Sequence, residues 1–207
     1  MAFVHLHVHS QYSLLDGACT MGDKKDKMME LLEEMGQTAI AITDHGNMYA
    51  SLYFAEECVK RGLHYIIGCE LYVTDDMYDH RFGTKTEHIV LLAKNKTGYK
   101  NIVKLDSMSY IDGFYGKPRV DNELLRSHAQ GLIALSACLA GEVARAMVRN
   151  QYEMGKEAAL RYEKIFGKGN FFLELQDHGI PDQKTVNQGL LRLAKDTGLE
   201  LVATNDI

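Results

Sequence analysis

Apolar positions recur along the chain in two rhythms, and their alternation sets the first expectation. Residues 3 to 9 (FVHLHVH) alternate with the period of two that marks a strand, so His5, His7 and His9 are expected on one face and Val4, Leu6 and Val8 on the other. Residues 23 to 35 (DKKDKMMELLEEM) carry apolar positions at helical spacing until Gly36 stops them. The same reading predicts strands at 38–45 (TAIAITDH), 63–74 (LHYIIGCELYVT), 87–95 (EHIVLLAKN), 131–137 (GLIALSA), 170–178 (NFFLELQDH) and 199–206 (LELVATND). Helices are expected over 49–61, 98–110, 121–128, 141–149, 151–166 and 183–197, two of them closed by Gly62 and Gly198.

Strand and helix thus alternate, and the strands are near-continuous apolar runs of the kind buried on both faces. This predicts an α/β fold with a parallel sheet, and seven strands in one series favour a closed barrel over an open sheet. The polar stretch from 74 to 86 is expected to be a loop or short flap. No repeat, low-complexity tract or linker divides the 207 residues, and the two prolines, Pro118 and Pro181, mark no domain boundary.

Composition narrows the setting more than the fold. Four cysteines (Cys19, Cys58, Cys69, Cys138) form no CxxC pair, so neither a disulfide framework nor a zinc knuckle is indicated, and a reduced, cytoplasmic location fits best. There is no signal-peptide pattern and no apolar run near the ~20 residues that span a bilayer, so no membrane contact is expected. A net charge of -5 argues against a broad basic surface wrapping a polyanion, and any nucleic-acid contact should be local.

A face bearing three imidazoles is too polar for an ordinary core. One buried histidine is usually satisfied by backbone or a carboxylate, but three need partners for six ring nitrogens, and a metal ion satisfies several at once. In α/β sheets chemistry gathers beyond the carboxyl ends of the strands. There the chain places His7 and His9, with Asp16 in the loop that follows, then Asp44 and His45, Glu70, Cys138, Asp177 and His178, and Asp206. His88 departs from the pattern by opening its strand. Singly, Asp16 or Asp44 could cap a turn, Cys138 could be a small core residue, and His178 is read as a solvated loop residue. Together they are N, O and S donors of the types that hold zinc, manganese or iron, and a barrel would bring them to one mouth.

The blocks HVHS with SLLDG, AITDHGNMYA, GCELYV, EHIVLLAKN, GFYGKPRVD, LSACLAGE and VATNDI, in this order over the whole chain, resemble the PHP (polymerase and histidinol phosphatase) domain at the N-terminus of bacterial replicative DNA polymerase III alpha subunits. The resemblance implies a distorted (βα)7 TIM-like barrel with up to three divalent transition metals (Zn2+, Mn2+ or Fe2+) at its mouth. It implies that Glu70 bridges two ions, with His7, His9 and Asp206 completing one site and His88 and Cys138 the second, while Asp16 and His45 hold a third. His9, Glu70 and Asp206 would carry catalysis, His5 would lie deeper, and Asp44 would fix an imidazole from behind.

The implied activity is metal-dependent phosphoester hydrolysis, as a 3′ to 5′ proofreading exonuclease acting on the 3′ end of a DNA primer. The remainder of the alpha subunit and other replisome subunits are the implied partners, and Arg81, Lys117 and Arg119 are candidate phosphate contacts. One rival reading is a non-catalytic, metal-stabilised scaffold that binds a separate proofreading exonuclease. Another is a free-standing phosphatase of the histidinol-phosphatase type, which the polymerase-like GFYGKPRVD and LSACLAGE blocks disfavour. The family's final motif is Asp-x-His, whereas this chain stops at Asp206-Ile207. The expectation is therefore a PHP domain over 1–207, truncated inside its last metal motif, with the C-terminal helix and polymerase domains absent, a weakened third site and poor stability in isolation.

Overall fold

Residues 3–22 and 27–207 are described by the computed structural model; the first four positions of the helix expected from residue 23 lie outside them. Along the described chain the order is α1 (Lys27–Glu34), β1 (Ala39–Ile42), α2 (Ser51–Lys60), β2 (His64–Thr74), β3 (Glu87–Ala93), α3 (Lys96–Ile111), β4 (Arg119–Asp121), α4 (Asn122–Ser127), β5 (Leu132–Leu135), α5 (Glu142–Val148), α6 (Tyr152–Phe166), β6 (Phe171–Leu175), α7 (Pro181–Thr197) and β7 (Glu200–Ala203). Polar caps set several helix starts. Asn95 accepts from the backbone N–H groups of Thr97 and Gly98 at the head of α3, and Asp121 does the same for Glu123 and Leu124 at α4. Gly198, in the left-handed conformation, ends α7.

The strands form one curled sheet in the order β1-β2-β3-β5-β6-β7, with β4 paired to β2. Alternate residues of each strand face opposite layers. Ile40 and Ile42 of β1 pack with α1 and α2, while Ala41 joins Val90, Leu92 and Leu135 in an inner cluster that includes Leu6, Phe172 and Val202. Ile89 and Leu91 of β3 face outward into the larger core beneath α3 to α7. Both faces of the sheet are therefore apolar, as the run-like strand text requires. The fold is a distorted TIM-like α/β barrel.

Two expectations about the sheet are corrected. It is not all parallel: β3 runs antiparallel to both β2 and β5, because β2 returns through the loop at 75–86 rather than through a crossover helix. The expected strand over residues 3–9 is an irregular extended segment that lies between β1 and the chain beyond β7. On one side the N–H groups of Ala41 and Thr43 donate to His5 O and Val8 O; on the other, His9 N–H donates to Ile207 O and Ile207 N–H to His7 O. The two-residue step from Ala41 to Thr43 thus matches a three-residue step from His5 to Val8, and the Thr43 hydroxyl both accepts from Val8 N–H and donates to Val8 O. The extra residue breaks the alternation as a bulge does. Consequently His5 faces outward, beside Met28, Leu31 and Ile40, Leu6 faces the inner cluster, and His7 faces inward too. The three histidines do not share a face.

One half-buried acid makes the fold sensitive to pH. Asp106 of α3 has a carboxylate oxygen without a hydrogen-bond partner, and burial lifts its pKa to about 6. An unfolded aspartate ionises near 3.9, so the stability tied to the neutral form is complete below about pH 4 and is lost as pH rises to about 6. Asp106→Asn should raise stability at about pH 7.5 by about 1–2 kcal/mol, after discounting for solvent screening, and change little near pH 4. Urea unfolding at the two pH values checks this.

Candidate metal centre

Segments far apart in sequence deliver polar side chains to one mouth of the barrel. Glu70 sits within β2 and is only 1 % exposed. Its backbone bridges to His45, which follows β1, and Asp44 O accepts Glu70 N–H at 3.1 Å. Because β3 is antiparallel, its first residues lie at the mouth, and His88 pairs with Tyr72 across the ladder. That reversal explains why His88 opens its strand yet joins residues that close theirs. His88 N–H donates to Ala140 O, which draws the turn after β5, and with it Cys138, alongside. Ala137 (φ 62°) and Asp206 (φ 48°) hold left-handed backbones that non-glycine residues seldom adopt, one next to a candidate ligand and the other itself one.

Three groups of donors result, each with its ligand atoms within 4.8 Å of one another: His7, His9 and Asp206; His9, His45 and Glu70; Glu70, His88 and Cys138. His7 Nε2 and His9 Nε2 are 3.1 Å apart, and each lies 3.3 Å from Asp206 Oδ1. Glu70 is the junction. Its Oε2 is 2.5 Å from His45 Nδ1 and 3.5 Å from His9 Nε2, and its Oε1 is 2.9 Å from His88 Nδ1, 3.6 Å from His7 Nε2 and 4.0 Å from Cys138 Sγ. Asp16, with its side chain 60 % exposed, reaches only His45 Nε2, at 3.1 Å. His45 therefore links Asp16 to the centre rather than standing apart with it.

The tautomers of the first two histidines follow from hydrogen-bond bookkeeping. Asp44 accepts from Ser10 N–H, from the Ser10 hydroxyl and from the Ser13 hydroxyl, each at 2.7 Å. Ser13 has then used its one proton, so at 3.0 Å its oxygen accepts Nδ1–H of His9. His7 Nδ1 lies 2.7 Å from Glu174 Oε1. In both rings it is Nε2 that faces Asp206 and Glu70.

Electrostatics favour a cation here. Burial disfavours a charged Glu70, but His7 and the hydrogen bonds from His45, His7 and His88 outweigh it and hold the carboxyl well below its usual range. Burial likewise pulls His7 down, yet Glu174 and Glu70 raise it well above 6.5. Cys138 is pushed up to about 12 by burial and by Glu70, so its thiol stays neutral unless a cation replaces the proton. His45 Nδ1 and Glu70 Oε2 face each other at 2.5 Å inside the buried cavity. Imidazole nitrogens, carboxylate oxygens and a thiol crowded this closely suit a divalent transition metal.

The three basic candidates separate. Lys117 is exposed and stands 4.3 Å above the Tyr72 ring, which packs on His45 and His88 at centroid distances of 6.0 and 5.0 Å. Gly46, at φ 54°, lets this approach happen, because a Cβ there would lie 2.8 Å from Pro118 Cγ. Arg81 is exposed and held by both carboxylate oxygens of Asp79. Arg119 does not fit a phosphate contact. It is 1 % exposed, and its guanidinium donates to Gly113 O, Asp79 O and Met77 O, bracing the loop at 75–86 against the loop before β4. His178 is an exposed loop residue, as expected, and its ring also meets Gln183 Nε2 and Asn205 O.

Ser13, Glu174, Gln176 and Thr204 were not anticipated. Glu174 left a signal, as the one charged residue in the strand text FFLEL; the others are ordinary polar residues whose role exists only in three dimensions.

The PHP domain profile matches residues 5–178. The chain is 46% identical over 211 residues to the DNA polymerase III subunit alpha of Treponema pallidum, covering 100% of this chain and 18% of that protein. For the Thermus aquaticus DNA polymerase III subunit alpha the identity is 43%, covering 100% of this chain and 17% of the relative. The chain thus spans under a fifth of the length of these relatives. Among solved structures, an amidohydrolase from Chromobacterium violaceum superimposes with a TM-score of 0.60 at 13% identity, covering 100% of this chain and 87% of that one. A protein from Bifidobacterium adolescentis assigned as a metal-dependent phosphoesterase gives 0.51 at 12% identity, covering 98% and 86%. These last two are likenesses of fold. No helix among the described residues is long and apolar enough to cross a membrane.

Proposed function

The chain belongs to the PHP domain family, and from that premise we propose that it is the phosphoesterase module of a bacterial DNA polymerase III alpha subunit, working in the cytoplasm on the 3′ end of a DNA strand. The observation that supports this best is Glu70, a buried carboxylate met by His7, His9, His45, His88 and Cys138. His7, His9 and Asp206 would hold one ion, Glu70, His88 and Cys138 another, and His45 with Asp16 a third, with zinc, manganese and iron all compatible with such donors. Ions bound there supply a water made acidic enough to attack phosphorus and positive charge to stabilise the leaving oxygen.

The residues themselves position and exclude. Tyr72, its hydroxyl raised to about 12 by burial and by Glu70, stays neutral and walls the His45 and His88 rings from one side. Lys117, exposed beside it, carries an ammonium that would hold a non-reacting phosphate. Arg81 would have to leave Asp79 to do so. The remainder of the alpha subunit and other replisome proteins are the proposed partners.

Purified protein supplemented with manganese or zinc should contain more than one equivalent of metal and release nucleotides from a 3′-tailed primer in preference to hydrolysing a small phosphomonoester. His9→Ala should lower that rate about 100-fold or more by disturbing two donor groups at once. Retention of full activity and metal content by His9→Ala would remove this centre from the chemistry.

A further inference from the structure

We propose that Glu174 is a positioning residue: it holds His7 as the Nδ1–H tautomer, so that the ring meets an ion through Nε2. The inference rests on the reading of His7 as a metal ligand and adds a residue that lies behind the donors, on β6. Glu174 is 2 % exposed, and its Oε1 lies 2.7 Å from His7 Nδ1. A carboxylate oxygen that other donors already meet acts as an acceptor, so at that distance the imidazole is the donor. Gln176 Nε2 also donates to Glu174 Oε1, at 3.0 Å, and so does the Thr204 hydroxyl. Three donors from three segments therefore fix one oxygen, and the ring plane of His7 is fixed with it.

The arrangement parallels that of Asp44, Ser13 and His9, reached from the other side of the barrel. Each histidine of the HxH pair is thus oriented by its own acid, and the two acids share no partner. Carboxylates placed behind metal-bound imidazoles typically strengthen ion binding by roughly 10- to 100-fold. Glu174 has no such link to His88 or Cys138, so its effect should be confined to the group containing His7.

Cobalt titration of the whole chain separates these groups, because Cys138 is the one thiol in the three donor groups among the described residues and so supplies their thiolate-to-cobalt charge-transfer band. In the unaltered protein cobalt should produce both that band and the weaker ligand-field bands of the His7 group. Glu174→Met should require roughly 10- to 100-fold more cobalt for the ligand-field bands of the His7 group while leaving the charge-transfer titration in place. Glu174→Gln keeps an acceptor oxygen at the same position without the charge and should fall between the two. Equal affinity in all three proteins overturns the inference. Parallel loss of both signals in both variants also overturns it, since that is what general structural damage would do. If the unaltered protein binds no cobalt, the reading of the whole centre fails, and the inference with it.

Discussion

Glu70→Gln is expected to reduce bound metal from more than one equivalent to less than one, with affinity at the remaining donors down about 100-fold or more. Glu70 belongs to two of the three donor groups and lies 3.6 Å from the third through His7. Among the described residues only His9 is comparably placed, and it brings no negative charge. The amide retains the shape of the carboxylate but removes the negative charge that offsets several imidazoles in a dry cavity. His7 and His45 should then titrate lower than in the unaltered protein, with Glu174 still holding His7 up and Asp16 still raising His45. Elemental analysis after dialysis reads the first effect and histidine NMR titration the second. A variant that keeps its metal shows that the remaining donors suffice without this junction.

The second large effect belongs to a residue with no part in chemistry. Arg119→Met should cost about 3–5 kcal/mol, because it abandons three carbonyl groups that the guanidinium satisfies within the protein. Lysine should not rescue it, since one ammonium cannot span Gly113, Asp79 and Met77 in the plane of a guanidinium. Urea unfolding gives the loss, and proteolysis at residues 75–86 should show that loop released first. A phosphate-binding arginine would behave in the opposite way, losing substrate affinity with stability intact. Gly113 belongs to the same brace, for a Cβ on it would fall 2.0 Å from Arg119 O.

How much of this was legible depended on whether local pattern or distant partners decided the outcome. Helices such as α2, α3, α6 and α7 announce themselves through spacing and glycine stops, and β2, β3, β6 and β7 through apolar runs. The direction of β3 leaves no mark in its own residues, because a strand buried on both faces reads alike in either orientation. The displaced N-terminal residue is invisible for a related reason: it is created by the Thr43 hydroxyl replacing a backbone partner of Val8. β4 is three residues long, too short for any period to register. At the centre, donor types at strand ends could be read from the text, whereas Ser13 and Glu174 became recognisable only when 4 and 167 residues of separation had closed to hydrogen bonds. Arg119 misled for the converse reason, since a cation in a polar stretch looks solvated until its burial is known.

The reversed strand also has a bearing on how the molecule assembles. Glu70 and His88 are 18 residues apart on a hairpin, whereas His7 meets Glu174 across 167. Closing the longer loop costs about 2 kcal/mol more in chain entropy. The hairpin half of the centre can therefore form early and locally, and the segment at 7–9 docks last, against the opposite end of the chain at 206–207. An ion gripped by His7, His9 and Asp206 would tie these two distant segments together, so that its removal should be felt first as loosening of residues 7–9 from 206–207.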